Sequence, residues 1–256
     1  MKIHVLGAFG AELPCCNLTG FLINDSVMMD AGTITGVLSV EEQARITHVV
    51  MSHAHLDHTK GIPFMADNVI GRTKGPVQLV GAREVLDTLE AHLFNNKIWP
   101  DFTRIPSQKS PVLKYRPVVP GRVVSIGGGL KVKPIWVNHT VPCTGYIIWE
   151  GDKAIVYSGD TRSTDQIWKT ASKLGDKLKA VFIEASFPNR MQQLAELSGH
   201  LTPQTLGVEL EKIKGYKGPV YVYHVKSQYL VEMEREIAEA GRKNIVVLRD
   251  EMNLEV

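Results

Sequence analysis

Between His53 and His58 the chain sets three histidines and an aspartate in six positions, His53-Ala54-His55-Leu56-Asp57-His58, directly after the apolar run Thr47 to Ser52. Imidazole is the commonest neutral ligand for zinc-like ions, and a carboxylate adds charge compensation. So dense a group needs a rigid support, and the preceding run reads as a buried strand that ends at the group. In an extended turn residues i and i+2 point the same way, so His53 and His55 can grip one ion while Asp57 and His58, on the next bend, face a second. A purely structural zinc site is disfavoured, because such sites are usually rich in cysteine and close four ligands around one ion.

The same arrangement recurs along the chain. His139 follows the apolar run Leu130 to Val137, Asp160 follows Ala154 to Tyr157, and His224 follows Val220 to Tyr223. Taken alone, each reads more readily as a hydrogen-bonded turn residue. Taken together, they emerge where the main group emerges and complete the donors for two ions, with Asp160 as the bridging carboxylate. His4, His48 and His92 read as structural, and Asp30 as a support for the metal loop from behind.

Short apolar runs separated by turn residues dominate the N-terminal half. Phe21 to Ile23 and Val27 to Met29 predict a hairpin turning at Asn24-Asp25-Ser26. Ser39 to Ile46 predicts a short helix with Ser39 as N-cap, Val77 to Val80 a strand, and Ala82 to Asn95 a helix with Val85, Leu86, Leu89 and Leu93 on one face. Further on, Gly145 to Trp149 and Ala154 to Tyr157 predict a hairpin, Ala180 to Ile183 and Val220 to Tyr223 strands, and Thr202 to Ile213 and Gln228 to Ala240 helices. Asn244 to Leu248 is expected as the last strand. Strand-rich stretches that give way to alternating helices in both halves imply two sheets with helices outside them, in one domain.

Composition removes several classes. The 256 residues carry a net charge of only +2, which argues against a broad nucleic-acid or membrane surface. No run of about 18 apolar residues exists, so no transmembrane helix is expected. Three cysteines, Cys15, Cys16 and Cys143, give no disulfide framework. Cys15 and Cys16 read as buried small residues or thiols, and a cytoplasmic, reducing location is expected.

The order His53-x-His55-x-Asp57-His58, then His139, Asp160 and His224, resembles the metallo-β-lactamase superfamily over essentially the whole chain. The resemblance implies an αββα four-layer sandwich of two mixed sheets flanked by helices, a single domain across residues 1–256, with the metals at one edge of the sheets. Glu184-Ala185-Ser186-Phe187 and Gly199-His200-Leu201-Thr202-Pro203 resemble paired motifs of the phosphodiesterase branch, which includes tRNase Z and the class II cyclic-nucleotide phosphodiesterases. The segment Phe94 to Phe102 and the triplet His224-Val225-Lys226 look like the latter group. The short stretch between His139 and Asp160 is filled by a hairpin and leaves no room for a tRNA-binding arm.

These likenesses imply an enzyme that opens 3′,5′-cyclic nucleotides, cAMP or cGMP, to 5′-nucleotides. The implied cofactors are two divalent ions, zinc first, with manganese or iron as alternatives. A hydroxide shared by the ions would attack phosphorus, Asp57 would orient it, and His200, held by Glu184, would protonate the leaving oxygen. Asn95, Trp99 and Lys226 are candidates for substrate contact; helix capping, core packing and a solvated lysine are the respective alternatives, and Phe102 is open to the same choice as Trp99. Two other functional readings stay open: a tRNase Z-like or other nuclease or phosphodiesterase, and a non-catalytic metal-binding sensor. A thioester or lactam hydrolase is disfavoured by the Glu184/His200 pair. The expected partner is a small cyclic nucleotide, with no membrane and no large nucleic acid. A homodimer is left open.

Overall fold

The computed structural model describes residues 1–14 and 16–256, so the reading of Cys15 lies outside the described residues. Cys16 is half-buried and Cys143 buried. Among the described residues two seven-stranded sheets carry the fold. From edge to edge the first is Asn253–Glu255, Lys2–Gly7, Gly20–Ile23, Val27–Met29, His48–Val50, Val77–Gly81 and Leu113–Pro117. The second is Ile245–Val247, Val220–Tyr223, Leu178–Glu184, Lys153–Tyr157, Thr144–Glu150, Leu130–Trp136 and Val124–Ser125. Both mix antiparallel and parallel pairs.

Side-chain alternation sorts the first sheet's residues between two cores. Phe21, Ile23, Met29, Val50 and Val80 join a cluster with Ile148, Ile155 and Phe182 of the second sheet. Their neighbours Leu22, Met28, Val49 and Leu79 join Ile62 and Met65 of the helix Gly61–Asn68 and Val85, Leu86 and Leu89 of the helix Arg83–His92. Ile167 and Trp168 of the helix Gln166–Ser172, Leu206 and Leu210 of Pro203–Glu211, and Met233 and Ile237 of Leu230–Glu239 pack with the second sheet. The result is the helix–sheet–sheet–helix order that the resemblance implied. Phe21 ties the sheets together, with its ring edge-on to Tyr157, Phe182 and Tyr223 at centroid distances of 5.7, 5.8 and 5.4 Å. No helix of the described residues is long and apolar enough to cross a membrane.

Local signals act as expected at several points. Asn24 and Asp25 take φ of +47° and +56°, the pair of left-handed residues that a tight hairpin turn requires. Ser39 accepts from the Glu42 amide, and the Glu42 carboxylate accepts in return from the Ser39 amide, closing a capping box.

One expectation is corrected. The strand over Ile245–Val247 is not the last: Asn253–Glu255 adds an edge to the first sheet, antiparallel to the first strand. It has three residues, and only Leu254 packs against the core, so it carries no readable alternation. The bend expected to carry Asp57 and His58 is present, and it is helical. Leu56–Thr59 forms a single helical turn, with His55 at its N-cap, and this turn carries Asp57 and His58. The helices Gly61–Asn68, Gln166–Ser172 and Gln192–Ser198 were not anticipated; at seven or eight residues they span too few turns to show a periodic face.

Candidate metal centre

Strand direction gathers the site. Lys153–Tyr157, Leu178–Glu184 and Val220–Tyr223 run parallel, so Asp160, Glu184 and His224 leave the second sheet at one edge. Leu130–Trp136 is two antiparallel steps away from Lys153–Tyr157 and so ends at the same edge, delivering His139. In the first sheet His48–Val50 delivers the His53 group to the facing edge. The edges are stitched together by the Tyr146 hydroxyl donating to the Met51 carbonyl at 2.7 Å and the Thr144 amide donating to that of Ser52 at 3.0 Å.

The seven expected ligands converge. His53, His55 and His139 form one group of donor atoms within 4.8 Å of one another, and Asp57, His58 and His224 form a second. Asp160 stands between them: its Oδ2 lies 3.2 Å from both His58 Nε2 and His224 Nε2 and 3.7 Å from His53 Nε2. His55 Nδ1 faces His139 Nε2 at 3.3 Å, and His224 Nε2 faces Asp57 Oδ2 at 3.2 Å.

The donors fit divalent cations. Among the described residues, His53 Nε2, His58 Nε2 and Asp160 Oδ1 are buried without a hydrogen-bond partner, and such groups are costly to leave unpaired. Burial pushes the pKa values of His53, His55 and His139 below the ordinary histidine value, which keeps their lone pairs available. Burial also works against a proton on His58, but the flanking Asp160 and Asp30 carboxylates outweigh it and raise that pKa well above the usual value. A bound cation would take the place of a proton on His58 Nε2. Asp160 is held well below the carboxylate range because His224 and His58 outweigh its burial. Asp57 is lowered in the same way, with the His224 hydrogen bond foremost against burial.

Surrounding groups fix the ligand rings. Asp30 is fully buried; its Oδ2 accepts from His58 Nδ1 at 2.8 Å, the Ser52 hydroxyl at 2.7 Å and the Tyr157 hydroxyl at 2.6 Å. His139 Nδ1 donates to the Gly199 carbonyl at 2.9 Å, leaving Nε2 for the site. Ser52 Oγ lies 2.9 Å from His53 Nδ1. Asp30 and His224 hold φ of +51° and +64°, conformations that cost non-glycine residues energy and concentrate at functional positions. Gly10 must lack a side chain, since a Cβ there would stand 2.5 Å from the His224 ring. Asp30 was anticipated as a support; Ser52, Tyr157 and the Gly199 carbonyl were not, because nothing in the sequence marks an ordinary serine, tyrosine or peptide group as a partner of a distant ring.

His200 lies beside this centre and differs from the ligands. Its Nδ1 is 2.9 Å from Glu184 Oε1, and its ring stacks on His224 at 5.1 Å and 23°. Burial works against its proton, but the Glu184 charge and hydrogen bond outweigh burial and raise the pKa. Although its nitrogens lie near donor groups that include His139, Asp160 and His224, Nδ1 is committed to Glu184. The Glu184 carboxylate is fully buried and also accepts from the Thr161 amide at 3.0 Å.

The expected substrate contacts are placed unevenly. Lys226 Nζ is 4.0 Å from Asp57 Oδ2 and donates to the Gly10 carbonyl. Asn95 uses its side chain within its own loop, donating to the Ala91 carbonyl at 2.9 Å and accepting from the Lys97 and Ile98 amides at 3.0 and 2.9 Å. Trp99 is half-buried, with its ring 5.2 Å from that of Phe64 in the helix after His58, and Phe102 is buried in the core behind that helix.

Known proteins resemble this chain in sequence and in fold. The chain is 29% identical to a probable 3′,5′-cyclic-nucleotide phosphodiesterase of Yersinia pestis over 72% of its own length and 58% of that protein's. It is 26% identical to a 3′,5′-cyclic-nucleotide phosphodiesterase of Aliivibrio fischeri over 91% of its length and 83% of that protein's. A ribonuclease Z of Treponema pallidum is 26% identical over 60% of the chain and 49% of that protein. The chain spans between about half and three-fifths of the first curated relatives it matches. In fold it is similar to unliganded yeast PDE1, with a TM-score of 0.82 at 19% identity over 100% of this chain and 99% of that one. It is also similar to a metallo-β-lactamase-fold protein of Bacillus subtilis, with a TM-score of 0.74 at 16% identity over 99% of each chain. The fold is that of the metallo-β-lactamases. The family model for class-II cAMP phosphodiesterases matches residues 35–235, most of the chain, and the chain belongs to that family.

Proposed function

We propose that the chain hydrolyses 3′,5′-cyclic nucleotides, cAMP or cGMP, to 5′-nucleotides at a site that holds two divalent ions. The observation that carries this reading is the His200–Glu184 pair, closed at 2.9 Å and set directly against the two converging donor groups. His53, His55 and His139 would hold one ion, Asp57, His58 and His224 the other, and Asp160 would serve both. Bound there, zinc, manganese or iron would supply Lewis acidity toward the phosphoryl oxygens and a nucleophilic water at neutral pH.

The chain's own residues do the rest. A departing 3′ alkoxide needs a proton, and His200, whose pKa Glu184 raises against burial, is placed at the edge of the site to give one. With Nδ1 bonded to Glu184, Nε2 is the atom that delivers the proton. Glu184 is shut away from solvent and acts through His200, fixing its ring and favouring its charged form. Asp57 combines ligation with orientation of the attacking water, and Lys226 beside it offers a positive charge to the phosphate. Trp99, on the loop that rests on the helix after His58, stays a candidate for substrate contact, whereas the Asn95 side chain is engaged within that loop.

The nuclease reading is weaker, because the hairpin of Thr144–Glu150 and Lys153–Tyr157 occupies the stretch before Asp160 and no arm extends there. The sensor reading is weaker because a site that only senses an ion has no use for a buried acid–carboxylate pair. The test is a turnover panel with the ion-loaded protein on cAMP, cGMP, a cyclic dinucleotide, bis(p-nitrophenyl) phosphate and a precursor tRNA. The expected result is 5′-AMP or 5′-GMP as the favoured product. Preferential cleavage of the tRNA, or no turnover of any of the five, overturns the proposal.

A further inference from the structure

Ser186 is a fully buried hydroxyl that the mechanism above leaves unused, and it stands between the two halves of the site. Its Oγ lies 2.9 Å from His224 Nδ1, 3.2 Å from Glu184 Oε2 and 3.0 Å from the His224 carbonyl oxygen. Its backbone is pinned from both sides: its amide donates to the Leu201 carbonyl at 2.9 Å and its carbonyl accepts from the Lys226 amide at 3.1 Å. The hydroxyl therefore has little freedom to seek other partners.

A hydroxyl has one proton to give and lone pairs to accept with. Both oxygens in reach, the Glu184 carboxylate and the His224 carbonyl, only accept. With an ion on His224 Nε2 the ring hydrogen sits on Nδ1, so Ser186 Oγ accepts from Nδ1–H and directs its own proton at Glu184 Oε2 and the His224 carbonyl oxygen. That assignment leaves the His224 Nε2 lone pair free for the ion, with Asp57 Oδ2 and Asp160 Oδ2 each 3.2 Å from Nε2. It also joins the residues into one chain, from His224 through Ser186 to Glu184 and on to His200 Nδ1.

We propose that Ser186 is a positioning residue which holds His224 in its ligating tautomer and, through the same hydroxyl, seats the carboxylate that positions His200. The role parallels that of Asp30 on His58, and it also reaches from the ion site to the partner of the proton donor. The inference rests on the two-ion reading and not on the identity of the substrate.

The experiment is competition titration of Zn²⁺ into the full-length protein against a chelating dye, for wild type, Ser186→Ala, Ser186→Thr and Ser186→Cys, with kcat and KM measured beside it. Loss of an outer partner of a ligating histidine typically weakens metal binding by about 10- to 100-fold. The expected result is a loss of that size for one of the two ions in Ser186→Ala, the other ion being bound as in wild type. The reduction in kcat should exceed any change in KM, and Ser186→Thr, which keeps the hydroxyl, should recover both properties. Ser186→Cys, nearly the same size with a weak thiol donor, should follow Ser186→Ala, and it serves if the alanine variant does not fold. Wild-type affinity for both ions, or equal loss of both in every variant including threonine, overturns the proposal. If no cyclic nucleotide is turned over by the wild type, the zinc titration still decides the role of Ser186, while the substrate proposal falls separately.

Discussion

His200 Nδ1 stands 2.9 Å from Glu184 Oε1, and that carboxylate has no exposure to solvent. A buried carboxylate that faces an imidazole fixes both the ring's orientation and its charge. On the proposed mechanism His200 acts as the acid, so activity is expected to fall as pH rises through its pKa. Burial lowers this pKa, and Glu184 raises it by more. Glu184→Gln removes the charge, lowers the pKa and is expected to move the alkaline limb of the kcat/KM profile to lower pH. A profile unchanged in position, with only its height reduced, would show that Glu184 does not control the proton.

Removing the acid separates chemistry from ion binding. His200→Ala is expected to keep both ions while turnover falls by about 10²- to 10⁴-fold, the usual contribution of a positioned acid. Metal analysis and steady-state kinetics on one preparation check this. Near wild-type turnover would remove His200 from the mechanism.

Asp30 carries three hydrogen bonds on one oxygen, from His58, Ser52 and Tyr157, and it does so inside the core. Asp30→Ala leaves those donors unpaired and frees the His58 ring. Ion affinity is expected to fall by roughly 10- to 100-fold, and the protein should also melt earlier. Isothermal titration with Zn²⁺ and a thermal melt of the ion-free protein read the two effects separately.

Phe21 is the contact by which the first sheet grips Tyr157, Phe182 and Tyr223 of the second. Phe21→Ala opens a cavity between the sheets and is expected to cost roughly 3–5 kcal/mol in urea denaturation, the range for buried phenylalanines. A loss below about 1 kcal/mol would mean that the sheets close over the gap.

Much of this candidate centre was legible in the sequence because its residues follow apolar runs that form strands in the structure. His139, Asp160 and His224 are one to three residues beyond such strands, and parallel pairing brings two of those strand ends to one edge. Periodicity failed where elements are short or half polar, as at Asn253–Glu255, whose pairing with the first strand is a contact across nearly the whole chain. It also could not show that the turn after His55 coils into Leu56–Thr59, since one turn has no repeat. The partners of the ligand rings were illegible for a different reason. Ser52, Tyr157 and Ser186 act by proximity, and proximity between Asp30 and Tyr157 exists only once the two sheets face each other.

The central claim is that two donor groups sharing Asp160 hold the ions on which cyclic phosphodiester hydrolysis depends. The most direct measurement is turnover of 3′,5′-cAMP and 3′,5′-cGMP by the full-length protein before chelation, after chelation and after return of zinc or manganese, with Asp160→Asn carried in parallel. The account predicts a 5′-nucleotide product, loss of turnover on chelation, recovery near two ions per chain, and an Asp160→Asn variant that does not recover. Turnover that survives chelation, or that returns in full with Asp160→Asn, would contradict it.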